Sequence, residues 1–144
     1  MTEPTELVEI VRQYYVANPR DLPWRQLDAH GDINPYTVMV SELMLQQTRV
    51  SRVIPKYQQF LQAFPTVTQL AQAELGSVLR VWHGLGYNRR AKFLWQASQK
   101  LAADYDGVVP NNQHALVSLP GIGPNTAGAI RAYAFNEPVV FIET

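Results

Sequence analysis

Leu119-Pro120-Gly121-Ile122-Gly123-Pro124-Asn125-Thr126-Ala127-Gly128-Ala129-Ile130 is the stretch whose reading decides the fold. Proline fits the first turn of a helix, where its fixed φ is helical and its missing amide would go unused. The string therefore predicts a helix starting at Pro124, with a shorter one from His114 to Ser118 before it. Gly121 and Gly123 allow a tight turn with positive φ and leave their backbone amides unshielded. Those amides sit at a helix N-terminus, where unpaired donors and the helix dipole favour an anion. Two helices joined this way have the physics of a phosphate clamp, which would read a nucleic-acid backbone rather than its sequence. A tight interhelical turn without a ligand would use glycine equally well, and a bare Gly-x-Gly would favour that plainer reading. The full Leu-Pro-Gly-Ile-Gly-Pro-x-Thr-Ala-Gly string is far more specific.

Outward from the hairpin, the sequence reads as helix with short breaks. Leu7, Ile10, Val11 and Tyr14 recur at helical spacing, predicting a helix over 6–17. Two prolines in Asn18–Arg25 stop it. Asn34-Pro35 is a helix start, with Asn34 as cap, and the helix runs through Val38, Met39, Glu42 and Leu45. Thr48 is expected to cap the next, whose apolar face is Val50, Val53, Ile54, Tyr57, Phe60 and Leu61, with Pro55 early enough to be tolerated. Short helices near 68–73 and 75–82 lead to the glycine-punctuated turn Gly84-Leu85-Gly86-Tyr87. A long helix over 88–105 turns Ala91, Leu94, Ala97 and Leu101 inward and ends at Gly107. The run Val139–Ile142 is a buried extended piece or the approach to a further helix.

With 144 residues, 47% of them hydrophobic, the chain can bury one core. No run approaches the roughly 18 apolar residues of a membrane span. The N-terminus is acidic where a secretion signal would be basic and then apolar. There is no cysteine, hence no disulfide, thiolate metal site or cysteine nucleophile within these residues. These features imply a soluble, non-secreted domain. The zero net charge hides an asymmetry. Residues 1–48 carry three arginines against seven acids, a balance of −4, whereas 49–131 carry nine bases against Glu74, Asp104 and Asp106, a balance of +6. A basic middle can face phosphates, although solvated side chains on helix surfaces would give the same count.

Further motifs give the hairpin a context. The hairpin string resembles that of the helix-hairpin-helix DNA glycosylase superfamily. Leu22-Pro23-Trp24-Arg25, Pro35-Tyr36, Ser41-Glu42-Leu43-Met44-Leu45-Gln46-Gln47-Thr48-Arg49-Val50, Phe64-Pro65-Thr66-Val67 and Trp82-His83-Gly84-Leu85-Gly86-Tyr87 resemble, in order and spacing, its adenine-specific branch. The resemblance runs from about residue 7 to the end of the chain. It implies an all-α, six-helix-barrel glycosylase domain, truncated at its C-terminus, that bends double-stranded DNA and extracts one base. Its parts would be an N-terminal helix and lead-in loop over 1–24 and an incomplete six-helix domain over 25–144, with the helix-hairpin-helix at about 113–134.

The resemblance also implies roles. Glu42, an acid among Val38, Leu43, Met44 and Leu45, would protonate a purine ring nitrogen so that adenine leaves; partial burial would help keep it protonated. Without the flanking motif it would read as a surface acid. Glu143 stands where similar enzymes place an aspartate that opposes positive charge on the sugar, so the carboxylate sits on an arm one methylene longer; a terminal or capping acid is the plainer alternative. Asn125 occupies the position of a Schiff-base lysine in endonuclease III-like members and of serine or tyrosine in adenine-type ones. Lacking a nucleophilic amine, it implies a monofunctional glycosylase that leaves an abasic site. Gln46, Gln47 and Tyr87 would fill or wedge the gap left by the extruded nucleotide, though Tyr87 would also suit ordinary packing. Thr48, Arg49, Arg89, Arg90, Gly121, Ile122, Gly123, Asn125 and Thr126 complete the expected DNA contacts, and the carbonyls of Leu119, Gly121 and Ile122 could hold a monovalent cation.

Similar enzymes carry a [4Fe-4S] cluster, whose cysteines would lie beyond Thr144, and a further domain that recognises 8-oxoguanine opposite adenine. The expectation is thus a monomeric base-excision repair glycosylase acting on adenine mispaired with 8-oxoguanine or guanine. It would act at the nucleoid, or in the nucleus or mitochondrion of a eukaryote, and this stretch alone would be poorly active or inactive. Two alternatives stay open: an endonuclease III-like glycosylase/lyase for oxidised pyrimidines, against which Asn125 argues, and a non-catalytic helix-hairpin-helix module, against which Glu42 argues.

Overall fold

Asn34 starts the first long helix as its chemistry predicts: its Oδ1 accepts the Tyr36 amide at 2.9 Å while Pro35 takes the first position. A computed structural model describes residues 22–138. The helix expected over 6–17, the Val139–Ile142 run and Glu143 lie outside the described residues. Those described are helical: after a single 3-10 turn (Pro23–Arg25) come α1 (Pro35–Leu45), α2 (Val50–Ala63), α3 (Val67–Gln72), α4 (Leu75–Trp82), α5 (Arg89–Asp104), α6 (Gln113–Val117) and α7 (Pro124–Phe135). The isolated bridge Leu27–Ile33 is the one extended pairing among them. None of the described helices is long and apolar enough to cross a membrane.

Local chemistry explains the boundaries. Thr66 caps α3 by accepting the Gln69 amide, and Asn112 caps α6 by accepting the Ala115 amide. Asp106 (φ 56°) and Gly107 (φ 77°) end α5, the Gly107 amide reaching back to the Leu101 carbonyl at 2.9 Å. Thr48 does not cap α2. Arg49 occupies the cap position without a side-chain bond, since a guanidinium offers no acceptor, and the Thr48 hydroxyl one residue earlier accepts from Arg90 Nη2. Pro55 sits inside α2 and removes the amide that would bond the Ser51 carbonyl; both residues are exposed, so water can satisfy that carbonyl.

The core is one cluster. Phe60 and Trp82 are fully buried at its centre with rings edge-to-face, centroids 6.0 Å apart, and Trp24 and Tyr57 pack in the same T-shaped way at 5.3 Å. Ala91, Leu94, Ala97 and Leu101 of α5 all point into it, as their spacing predicts. Tyr36 is buried, and its hydroxyl donates to the Phe64 carbonyl at 2.7 Å, joining the start of α1 to the end of α2. Helix α1 lies at the middle, packed against α2, α5 and α7. The helix carrying Glu42 is therefore held by its neighbours, including the hairpin helix.

Candidate functional site

Glu42 is half-buried on α1, between the buried residues Ser41 and Leu43. One turn further on, Gln46 closes the helix and its Nε2 donates to the hydroxyl of Thr126 on α7 at 3.3 Å. The helix that carries Glu42 and the second helix of the hairpin are thus joined by a direct contact, made by Gln46 and Thr126.

The hairpin glycines do different things. Gly121 has φ 77°, and a Cβ there would stand 2.7 Å from the Cβ of Phe93 on α5, so both conformation and space demand glycine. Gly123 has φ −87° and ψ 178°, an ordinary extended residue capping α7, and a Cβ there would meet nothing within 4 Å. Packing within the described residues gives no reason for glycine at 123. An open, unshielded amide at a helix start is what a close-approaching anion requires. Ile122 and Leu119 anchor the loop in the core, the Ile122 amide donating to the Leu119 carbonyl. Asn125 is exposed at the second position of α7, facing solvent beside the clamp, and Thr126 is half-buried.

Two further turns flank this assembly, and both contain strain. Gln47 has φ 61° and Tyr87 has φ 51°, the left-handed region that side chains rarely adopt. Both are exposed, Tyr87 at 61%. The Tyr87 ring is largely in solvent, with the Arg90 guanidinium 5.4 Å from its centroid. Gly84 (φ 98°) and Gly86 (φ 75°) build the turn that presents it, and Arg52 of α2 braces that turn through the Gly84 carbonyl.

The paired arginines part company. Arg89 is exposed, with its guanidinium over the ring of Phe93 at 5.6 Å, the same ring that abuts Gly121. It remains beside the hairpin, free to meet phosphate, and Arg49 is likewise exposed. Arg90 is buried and turns inward, so the expected phosphate contact does not describe it. Its Nη1 donates toward the carbonyls of Leu43 (2.7 Å), Met44 (2.9 Å) and Gln46, and its Nη2 toward Thr48 Oγ1 (3.1 Å) and the Gly86 carbonyl (3.3 Å). Burial holds its pKa below the usual guanidinium range, while the Tyr87 phenol works the other way. A signal for this was present: residues 90, 94, 97 and 101 recur at helical spacing, which puts Arg90 on the buried face of α5.

The expected cluster finds no donors here. The 144 residues include no cysteine, and among the described residues no three His, Asp or Glu side chains converge to hold a metal.

Comparisons with known proteins agree with this layout. The family model for HhH-GPD superfamily base excision DNA repair proteins matches residues 40–142. The chain is 42% identical over 137 residues to the adenine DNA glycosylase of Mycolicibacterium smegmatis, covering 95% of this chain and 45% of that protein. Its fold superposes on a thermostable thymine-DNA glycosylase with a TM-score of 0.86 at 24% identity, covering 96% of this chain and 62% of the other. A structure of endonuclease III in a non-covalent complex with DNA gives 0.77 at 19% identity, covering 65% of that chain. The chain thus spans less than half the length of that curated relative and less than two thirds of those solved chains.

Proposed function

This chain belongs to the HhH-GPD superfamily of base excision DNA repair proteins, and we propose that it is the catalytic portion of a monofunctional adenine DNA glycosylase. The substrate is double-stranded DNA in which adenine is mispaired with 8-oxoguanine or guanine. The observation that carries the reading is the Gln46–Thr126 contact. It ties a half-buried glutamate helix to a hairpin with one open glycine amide, as an enzyme that grips backbone while acting on a neighbouring nucleotide requires.

In this reading Gly123 and its neighbours take a phosphate, with Arg49 and Arg89 at the rim. Gln46, Gln47 and Tyr87 occupy the space vacated as the nucleotide leaves the stack, offsetting part of an extrusion cost of a few kcal/mol. Carbonyls of Leu119, Gly121 and Ile122 can hold a monovalent cation beside that phosphate. Glu42 transfers its proton to a ring nitrogen of adenine. The C1′–N bond then breaks with its electron pair leaving on the base, and the ionised Glu143 opposes the positive charge on the sugar. Water adds at C1′ and loses a proton, leaving an abasic site and free adenine. Asn125 provides no amine to attack C1′, so the strand is not cut. The [4Fe-4S] cluster implied by the family has no ligand among these residues, and no step above runs through it. The intact enzyme acts as a monomer wherever the cell keeps its DNA.

Incubation of the intact enzyme with a duplex containing adenine opposite 8-oxoguanine tests the reading. Free adenine should appear, the strand should break only after alkali, and borohydride should trap no protein–DNA adduct. A trapped adduct on oxidised pyrimidines would instead establish the lyase alternative.

A further inference from the structure

Helix α1 ends with carbonyls that have no partner within the helix, as every helix does. Here each finds a donor. The Leu45 carbonyl accepts the Thr48 amide at 3.3 Å, and those of Leu43, Met44 and Gln46 all face one nitrogen, Nη1 of Arg90. A buried cation at a helix C-terminus also complements the dipole. That alone would make Arg90 a cap.

The other half of the guanidinium does something a cap does not require. Nη2 reaches Thr48 Oγ1 in the turn after α1 and the Gly86 carbonyl in the turn before α5. The same group lies 5.4 Å from the centroid of the Tyr87 ring and 5.5 Å from that of Trp82, whose Nε1 also donates to the Gly86 carbonyl at 3.3 Å. One planar, rigid fork therefore spans two turns far apart in sequence. Each turn contains one exposed residue in the left-handed region, Gln47 in one and Tyr87 in the other. Strained conformations persist only where the surroundings over-determine them, and Arg90 is the group common to both surroundings.

We propose that Arg90 is a positioning residue that locks the Gln46–Thr48 turn and the Gly84–Tyr87 turn into a single preassembled probe, so that base extrusion depends on it far more than initial duplex binding does. The proposal rests on the glycosylase reading for its context, but extrusion can be measured without chemistry. Without the lock, each turn would have to be ordered when it meets DNA, and that ordering would be charged to the extrusion step. Lysine is the informative replacement. Its ammonium can still serve the α1 carbonyls, but it lacks the fork that reaches both turns at once.

The test uses the intact enzyme as wild type, Arg90→Lys and Thr48→Val, the last removing one anchor while Arg90 stays. Extrusion is read from the fluorescence of 2-aminopurine at the target position, and affinity from anisotropy with an undamaged duplex at fixed salt. Excision is measured on adenine in a full duplex and on adenine opposite an abasic gap, where no pairing partner holds it. Arg90→Lys should bind the undamaged duplex within about threefold of wild type and extrude at least tenfold less. Its excision deficit should shrink several-fold on the gapped substrate. Thr48→Val should show the same pattern, smaller, with a modest fall in melting temperature as Arg90 Nη2 loses one acceptor. It decides the matter if Arg90→Lys does not fold. Wild-type extrusion by a folded variant, or a deficit equal on both substrates, overturns the proposal. A wild-type enzyme that extrudes but releases no adenine would overturn the glycosylase reading and leave the role of Arg90 standing.

Discussion

Replacing each hairpin glycine by alanine separates what the fold needs from what the ligand needs. At Gly121 alanine must adopt φ 77°, which costs an L residue roughly 1–2 kcal/mol. Its Cβ would also stand 2.7 Å from Phe93 Cβ, an atom fixed to the backbone of α5 rather than the tip of a movable side chain. Overpacking of this kind costs about 1–3 kcal/mol. Loss of glycine's freedom in the unfolded chain returns about 0.4–1 kcal/mol. The net is a destabilisation of roughly 1–5 kcal/mol, a fall in melting temperature of about 4–20 °C for a domain of this size. At Gly123 the terms nearly cancel. The backbone is extended and the space open, so a weaker cap, about 0.5–1 kcal/mol, is offset by the same unfolded-state gain. A methyl group there would obstruct an approaching phosphate, and losing one charge-assisted bond costs roughly 1.5–3 kcal/mol, about 10–150-fold in affinity. Thermal melts followed by circular dichroism and anisotropy titrations with a labelled duplex read both effects. Equal melting shifts for the two variants, or wild-type DNA affinity for Gly123→Ala, would refute the reasoning.

Other expectations follow from the same geometry. Duplex affinity should fall steeply between about 50 and 200 mM salt, since clamp amides and arginines meet phosphates; a flat salt response would deny a backbone-led interface. Burial pushes the Tyr36 and Tyr57 phenols above the usual tyrosine range. With folded pKa values above the unfolded value of about 10, their contribution is fully present below pH 10 and is lost as pH rises past it. Urea midpoints should therefore drop at alkaline pH, less so in Tyr36→Phe, and midpoints that hold steady through pH 11 would contradict this. At neutral pH Tyr36→Phe should cost about 1–3 kcal/mol by orphaning the Phe64 carbonyl, and an unchanged urea midpoint would show that carbonyl to be otherwise satisfied. In the intact enzyme Glu143→Gln should cost at least ~2–4 kcal/mol of transition-state stabilisation while Glu143→Asp keeps or raises the excision rate; near-wild-type rates for both would make Glu143 a bystander.

How much of this was legible beforehand varies with the kind of physics involved. Helix positions were readable because they follow from local chemistry: Asn34 and Pro35 start α1, and Ala91, Leu94, Ala97 and Leu101 keep one face of α5 apolar. The hairpin was readable for the same reason. Thr48 and Arg90 depart from what their own segments suggest, a cap and a surface charge, because the structure pairs them across 42 positions of sequence. The strain at Gln47 and Tyr87 could not be seen at all, since nothing in a glutamine or a tyrosine announces a positive φ. The distinct tasks of Gly121 and Gly123 appear only once Phe93 is placed beside one of them.

The central claim of the proposed function is that Glu42, on a helix tied to the hairpin helix, delivers the proton that releases adenine. Single-turnover excision by the intact enzyme and its Glu42→Gln variant, with duplex affinity measured in parallel, tests it most directly. The amide keeps the shape and cannot give up a proton, so the rate should fall by on the order of a hundredfold or more while binding stays within a few-fold. A Glu42→Gln enzyme that still releases adenine at near-wild-type rate would contradict the account.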